Sequence, residues 1–311
     1  MGLYFHVGRV ASHTIHYNSQ SNCRRTFKKI RSLKLSDSVL VFGASGTVGK
    51  PLVRNLLDRD QKVLTASRSG KTVEGATAVT FEFGTSTDFD SLLNGVNSVF
   101  LLLPSGHPNA VVTLSPLIES AARRSLKIVY LSAFGAGEHE DHDHHKVEQI
   151  LKSSGTAYVS LRPNWFSDNF HTFWKSDVLQ GNLRLPAAQG KTGFIDARDI
   201  AACAVVAFTT DKFDGRAIEL TGPEALDYAQ AADILSAAMG KAVTYTRLSE
   251  EEYIRVRTSE GMPPQFAKSI AQLFAPVRAG EYGLATNGVF EVTGFVLGPL
   301  RFMPMTMQPT S

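Results

Sequence analysis

Along this chain, short unbroken apolar runs alternate with longer stretches in which apolar residues recur at helical spacing. The runs Val39–Phe42, Lys62–Ala66, Ala78–Phe83, Ser98–Leu103, Lys127–Ser132 and Ala157–Leu161 read as strands, Val39–Phe42 as a fully buried parallel strand and Lys127–Ser132 as a further buried one. Between them, the pattern predicts helices over Pro51–Asp58, Asp88–Leu93, Ala110–Ser125 and His144–Ser153. Strands and helices alternating at this spacing predict an α/β fold, a doubly wound parallel sheet. After Arg162 the rhythm loosens. Phe194-Ile195-Asp196 leads into a helix over Ile200–Thr209, capped by Asp196 or Asp199, and a strand follows at Ala217–Leu220. An amphipathic helix over Tyr228–Met239 closes at Gly240, Val243–Arg247 is a strand, and Ser249-x-x-Glu252 opens a helix with capping-box spacing. The expected division is a basic leader over residues 1–36, a nucleotide-binding domain over 37–162, a smaller α+β substrate lobe over 163–294 interleaved with the sheet, and an irregular tail over 295–311. In that tail Pro299, Pro304 and Pro309 bar a long helix.

The first strand runs directly into a glycine loop, Val39 to Gly49 reading VLVFGASGTVG. Gly43 permits the sharp turn, Gly46 lets backbone approach a pyrophosphate with no Cβ in the way, and Gly49 lets the next helix pack closely on the strand. The N-terminus of that helix offers free N–H donors to phosphate. Strand, loop and helix in this order predict a dinucleotide-binding Rossmann fold. NAD-selective chains usually end the second strand in a carboxylate that holds the ribose hydroxyls. Here that end reads Thr65-Ala66-Ser67-Arg68-Ser69-Gly70-Lys71. Arg68 suits adenine stacking and a 2′-phosphate, Ser67 can donate to that phosphate, and Lys71 adds charge. NADP(H) is therefore expected over NAD(H).

Composition narrows the setting. At 311 residues, 43 % hydrophobic and 20 % charged, the chain reads as an ordinary globular protein of one large or two small domains. Seven of its 32 Lys and Arg lie within residues 1–36, which hold no acid, so the remaining body is net acidic and does not suggest nucleic-acid binding. The leader has the composition of a mitochondrial or plastid transit peptide, or is an N-terminal extension with no targeting role. Two cysteines cannot form a disulfide framework, and Cys203 lies in an apolar helical run. A reducing cytoplasmic location is expected, with mitochondria as the alternative if the leader is a targeting segment. No apolar run is long enough to span a membrane.

The chemistry is less explicit. None of the eight tyrosines has Lys four residues later, so the Tyr-x-x-x-Lys pair of many short-chain dehydrogenases is absent. His142-x-x-x-Lys146 copies the spacing, whereas a frame set on Glu148 puts His144 in the Lys slot and Glu140 in the Tyr slot. The second frame is preferred and makes His144 an orienting or proton-donating residue, weighed against a plain residue at a helix start. The acid and imidazole run from Glu138 to His145 lacks the His-Glu-x-x-His helix and paired cysteines of zinc sites, and reads as a solvated loop with no metal. Aromatic residues Trp165, Phe166, Phe170, Phe173 and Trp174 are either lobe core or the floor of a cleft for a flat apolar acceptor. Arg162 is expected to form a structural ion pair, and Asp199 a helix cap.

The glycine loop, the strands SVFLLLP and KIVYLSA, the run YVSLRPNWFSDNF from Tyr158 to Phe170 and the segment FIDARDIA from Phe194 resemble the NmrA-like branch of the atypical short-chain dehydrogenases. The pattern is most similar to its quinone oxidoreductase and triphenylmethane reductase type, and also to the ergot-alkaloid dehydrogenases. That resemblance implies coenzyme contacts at Gly43, Ser45, Gly46, Thr47 and Val48 around the pyrophosphate and at Arg68 around the adenosine phosphate. It places Phe83 and Gly84 by the adenine, and Leu102, Leu103 and Pro104 by the inner ribose. Ser132 and Ala133 come beside the nicotinamide, where Ser132 is also a catalytic candidate. Pro163, Asn164, Trp165 and Phe166 close over it. Trp165, Phe166 and Phe170 would meet a small hydrophobic conjugated substrate such as a quinone or iminium, reduced by hydride from NADPH. The same family includes redox sensors that bind dinucleotide without turnover, which is the alternative.

Overall fold

The computed structural model describes residues 38–68, 70, 72–84, 88–103 and 109–300. Seven parallel strands form its main sheet: β1 (Ser38–Phe42), β2 (Lys62–Ser67), β3 (Thr77–Thr80), β4 (Ser98–Leu101), β5 (Lys127–Leu131), β6 (Tyr158–Pro163) and β9 (Arg216–Leu220). They lie in the order β3-β2-β1-β4-β5-β6-β9, so the winding reverses between β1 and β4. This is the doubly wound Rossmann arrangement, in which ligands gather beyond the carboxyl ends of the strands at the reversal.

The central strand shows why its sequence has no polar alternation. All five residues of β1 are buried. Val39 and Val41 face one core, with α1 (Gly49–Leu57) and α6 (Ala197–Thr209), while Leu40 and Phe42 face the other, with α3 (Ala110–Arg123) and α4 (Asp143–Ser153). The same parity continues into β5, where Val129 joins the first core and Ile128 and Tyr130 the second.

The described residues form one compact unit. Beyond Pro163 it builds a further core from Phe170, Trp174, Leu183, Leu185, Phe194, Tyr228 and Phe274, among others. Two small ladders serve that region: β7 (Asn182–Leu185) pairs in parallel with β11 (Thr244–Arg247), and β8 (Lys191–Thr192) pairs antiparallel with β10 (Leu226–Asp227). Between these ladders the chain returns to the main sheet as α6 and β9, and α11 (Gly288–Thr293) later packs on α6.

Several element boundaries depart from the sequence reading, three of them next to residues singled out there. The third strand ends at Thr80, because Phe81 and Phe83 turn onto Phe42 as an aromatic cluster, with centroids 5.0 and 5.4 Å from its ring. The fourth strand stops at Leu101, leaving Leu102 and Leu103 beyond the sheet. The helix expected over Ile200–Thr209 begins at Ala197, and Asp196 is its cap, accepting from Arg198 N at 2.7 Å. Asp199 therefore sits inside the first turn and is not the cap. The leader, Cys23 and the tail beyond Leu300 lie outside the described residues.

Candidate functional site

The turn after β1 is shaped for close approach. Gly43 has φ +66°, a left-handed conformation, and a Cβ there would meet Leu102 Cδ2 at 2.8 Å. The glycine loop is thereby seated against the end of β4, across the reversal point. Gly49 is more confined still: a Cβ would lie 2.1 Å from Gly43 O, where the helix crosses the turn. At Gly46 the nearest atom to such a Cβ is Gly43 O at 3.1 Å, and Ser45, Gly46 and Thr47 are exposed. Val48 and Ala44 anchor the loop in the core. No side chain caps α1 and no acid stands in its first turn, so the positive end of the helix is left for an outside anion. These residues fit a pyrophosphate-bearing group.

The other residues singled out in sequence follow the carboxyl edge of the sheet. Arg68 closes β2 and is exposed, Phe83 packs on Phe42, and exposed Gly84 follows it. Leu102 and Leu103 are half-buried beyond β4; Pro104, Ser69 and Lys71 lie outside the described residues. Ser132 and half-buried Ala133 follow β5, and Pro163 ends β6. Both ends of the Asn164 amide are engaged, Nδ2 donating to Tyr282 O at 3.0 Å and Oδ1 accepting from Trp165 N at 2.7 Å. Backbone bonds between Ile195 and both Trp165 and Ser167 fix the segment that carries Trp165 and Phe166, and both rings stay half-buried.

The aromatic run divides. Trp165 stacks on Trp174 with centroids 5.4 Å apart and lies 4.8 Å from Phe274. Phe170 is 0 % exposed and packs edge-on against Trp174 and Phe194. As placed, Phe170 packs within the lobe core. Phe173 is exposed.

The densest polar cluster is one that sequence reasoning saw only in part. Parity places Tyr130 and Ser132 on the α4 face of the sheet, and Leu131 pairs with Leu161, so Arg162 lies beside Ser132. On α4, His144 and Glu148 stand four residues apart and face the same way. They meet the strand in two rungs. Tyr130 Oη is 2.7 Å from His144 Nδ1, and Ser132 Oγ donates to Glu148 Oε1 at 2.6 Å. Arg162 grips Glu148 with both nitrogens, Nε to Oε1 at 3.0 Å and Nη2 to Oε2 at 2.5 Å, and reaches Glu219 at 3.8 Å. Arg162 is thus the ion-pairing residue its sequence context implied. Glu148 is only 6 % exposed, and a buried carboxylate of this kind requires such a partner.

Burial, with a smaller push from His142, lowers the His144 pKa to about 4, so its imidazole is neutral near pH 7. Burial likewise raises the Tyr130 phenol. In the two frames, His142, His144 and Lys146 are engaged elsewhere. His142 caps α4 through Nδ1, accepting from His144 N, and Lys146 lies 4.0 Å from Asp143. The remaining imidazoles of that run are engaged separately: His145 with Ala136 O and Gln149, His139 with Glu281. No group of three potential metal ligands occurs among the described residues.

A second titratable group lies at the start of α6. Burial, then the nearby Asp196 and Asp168 carboxylates, raise the Asp199 pKa to about 7 against a partial offset from Arg198. The unfolded chain releases this proton near pH 4, so the native state binds more protons between the two values. Stability is therefore lost as pH rises from about 4 to 7 and then levels off. Asp199→Asn should be more stable than wild type at pH 8, by about 2 kcal/mol after discounting for partial solvent screening, and equal to it near pH 3.5. Urea unfolding at the two pH values measures the difference; an equal effect at both would contradict the assignment.

Fold and cradle define a dinucleotide-binding α/β protein with an apolar lobe beside its carboxyl edge. Residues 36–285 match the NmrA-like family, and the chain belongs to it. It is 34 % identical over 278 residues to Prestalk A differentiation protein A of Dictyostelium discoideum, spanning 85 % of this chain and 90 % of that protein. It is 30 % identical to the NAD(P)H azoreductase of Xenophilus azovorans, spanning 82 % and 93 %. The NADPH-dependent quinone oxidoreductase QOR2 of Escherichia coli, solved with NADPH, shares the fold with a TM-score of 0.73, at 23 % identity over 86 % of this chain and 96 % of that one. No helix among the described residues is long and apolar enough to cross a membrane.

Proposed function

We propose that this chain is an NAD(P)H-dependent oxidoreductase that prefers NADP(H) and delivers hydride to a small, flat, conjugated acceptor such as a quinone or iminium. The observation that carries the reading is the uncapped, acid-free helix start at the first glycine turn, on the same sheet edge as half-buried Trp165 and Phe166. The azoreductase relative and the quinone oxidoreductase neighbour support it.

Bound there, a reduced nicotinamide coenzyme would supply the hydride. The backbone around Gly43, Ser45, Gly46, Thr47 and Val48 would hold the pyrophosphate, and Arg68 the adenosine phosphate. Leu102, Leu103, Ala133 and Pro163 would exclude water along the coenzyme's path. Trp165 and Phe166 would align the acceptor, the main requirement when it is already electrophilic. With Ser132 donating to Glu148 and His144 neutral, the described residues around β5 offer no strong acid, which matches acceptors that take their proton from solvent. The lobe after Pro163 would hold the acceptor. A reducing cytoplasmic compartment belongs to the same reading, supported by the buried thiol of Cys203.

Oxidation of NADPH with a panel of quinones tests the proposal, and turnover above the coenzyme-only rate is expected. Arg68→Gln should weaken NADPH about tenfold while leaving NADH within twofold, consistent with loss of one charge-assisted contact. Equal losses for both coenzymes would contradict the assigned phosphate contact. Trp165→Ala should raise KM for an aromatic quinone about tenfold with kcat little changed. Unchanged kinetics in a folded variant would exclude Trp165 from the acceptor site. A second reading, a dinucleotide sensor without turnover, fits the missing Tyr-x-x-x-Lys pair equally well. Tight NADP(H) binding with no acceptor reduced would select it.

A further inference from the structure

Glu148 spans two strands: it accepts the Ser132 hydroxyl from β5 and the Arg162 guanidinium from β6. An ionised carboxylate can only accept, and a serine hydroxyl has one proton to give. Geometry settles the direction: Arg162 donates to both Glu148 oxygens, Ser132 Oγ donates to Oε1, and the Ser132 proton points inward. Arg162 is itself clamped. Glu219 flanks it, and a Cβ on Gly137 would lie 2.4 Å from its Nη1, so the loop after β5 closes directly over the guanidinium.

We propose that Glu148, fixed by Arg162, is a positioning residue that makes Ser132 Oγ a hydrogen-bond acceptor toward the ligand at the end of β5, where it selects an N–H donor. Resting on the coenzyme assignment above, the ligand group is the carboxamide NH2 of the nicotinamide. On this assignment Ser132 would not protonate substrate, because its proton is committed to Glu148.

The probe is a pair of oxidised coenzymes, NADP+ and its 3-acetylpyridine analogue, which carries a methyl ketone in place of the carboxamide and so lacks the N–H. Dissociation constants are measured by calorimetry, with no turnover required. Wild type should bind NADP+ about fivefold more tightly than the analogue, the worth of one hydrogen bond. Ser132→Ala should bring that ratio to about one, while Ser132→Thr, which keeps the hydroxyl, should preserve it. Glu148→Gln should also erase the preference, because the amide can donate to Ser132 Oγ and free the hydroxyl proton to point outward. If Glu148→Gln does not fold, Gly137→Ala, which displaces Arg162 without touching Ser132 or Glu148, should lower the ratio in its place. A wild-type ratio near one, or a ratio unchanged in Ser132→Ala, in folded Glu148→Gln, or in the Gly137→Ala substitute, overturns the inference while leaving the coenzyme site standing. Binding of neither compound to folded wild type would instead remove the coenzyme assignment.

Discussion

Gly46→Val is expected to leave the fold intact and reduce NADPH binding by at least a hundredfold, whereas Gly49→Ala should act mainly on stability. The two glycines lie three residues apart and serve different neighbours. A Cβ on Gly46 meets only Gly43 O at 3.1 Å, and the position is exposed, so extra methyl groups fall where a pyrophosphate would approach. A Cβ on Gly49 would sit 2.1 Å from Gly43 O and 2.7 Å from Ala44 Cα, both backbone atoms that cannot rotate away. The helix must then lift off the strand, at a cost of about 3 kcal/mol or more. Thermal unfolding with coenzyme titration separates the two. Normal binding by folded Gly46→Val would refute the cradle, and an unchanged melting temperature for Gly49→Ala would refute the packing argument.

Arg162→Met should destabilise the protein by about 3–5 kcal/mol, because it strands a buried carboxylate with one hydroxyl donor. The double variant Arg162→Met/Glu148→Leu should recover most of that loss, since removing both charges also removes the desolvation penalty. Urea unfolding of the singles and the double gives the coupling directly. A double variant no more stable than Arg162→Met would mean that the pair matters through shape and not charge.

The sheet was legible because its inner strands have no polar alternation, and because apolar residues recur at helical spacing between the strands. Val39–Phe42 could only be a strand covered on both faces, and the glycine loop behind it could only lead into a close-packed helix. Ends were harder to read. Phe81 and Phe83 look like strand by composition but leave the sheet to pack on Phe42, a tertiary preference that no local pattern encodes. Asp196 and Asp199 are both able to cap, and only the backbone path through Ile195 decides between them.

At the site, the phosphate side follows from local sequence, since a single turn makes it. The β5 cluster does not, because it joins residues from three elements. One signal was present: Glu148 sits among Val147, Ile150 and Leu151 on the apolar side of its helix, where a carboxylate implies a buried cation. Arg162, at a strand end beside Pro163, is the matching cation in sequence. Their partnership, the turn of the Ser132 proton and the Tyr130–His144 rung follow from strand register, which periodicity alone leaves open. The aromatic run is similar: spacing shows that rings cluster, and only packing shows that Phe170 is buried while Phe173 is exposed.

Titration calorimetry of the folded chain with NADPH, and in parallel with NADH, tests the phosphate cradle most directly. Saturable one-to-one binding, tighter for NADPH and lost in Gly46→Val, is the predicted result. Absence of heat with both coenzymes at concentrations well above the micromolar range would contradict it.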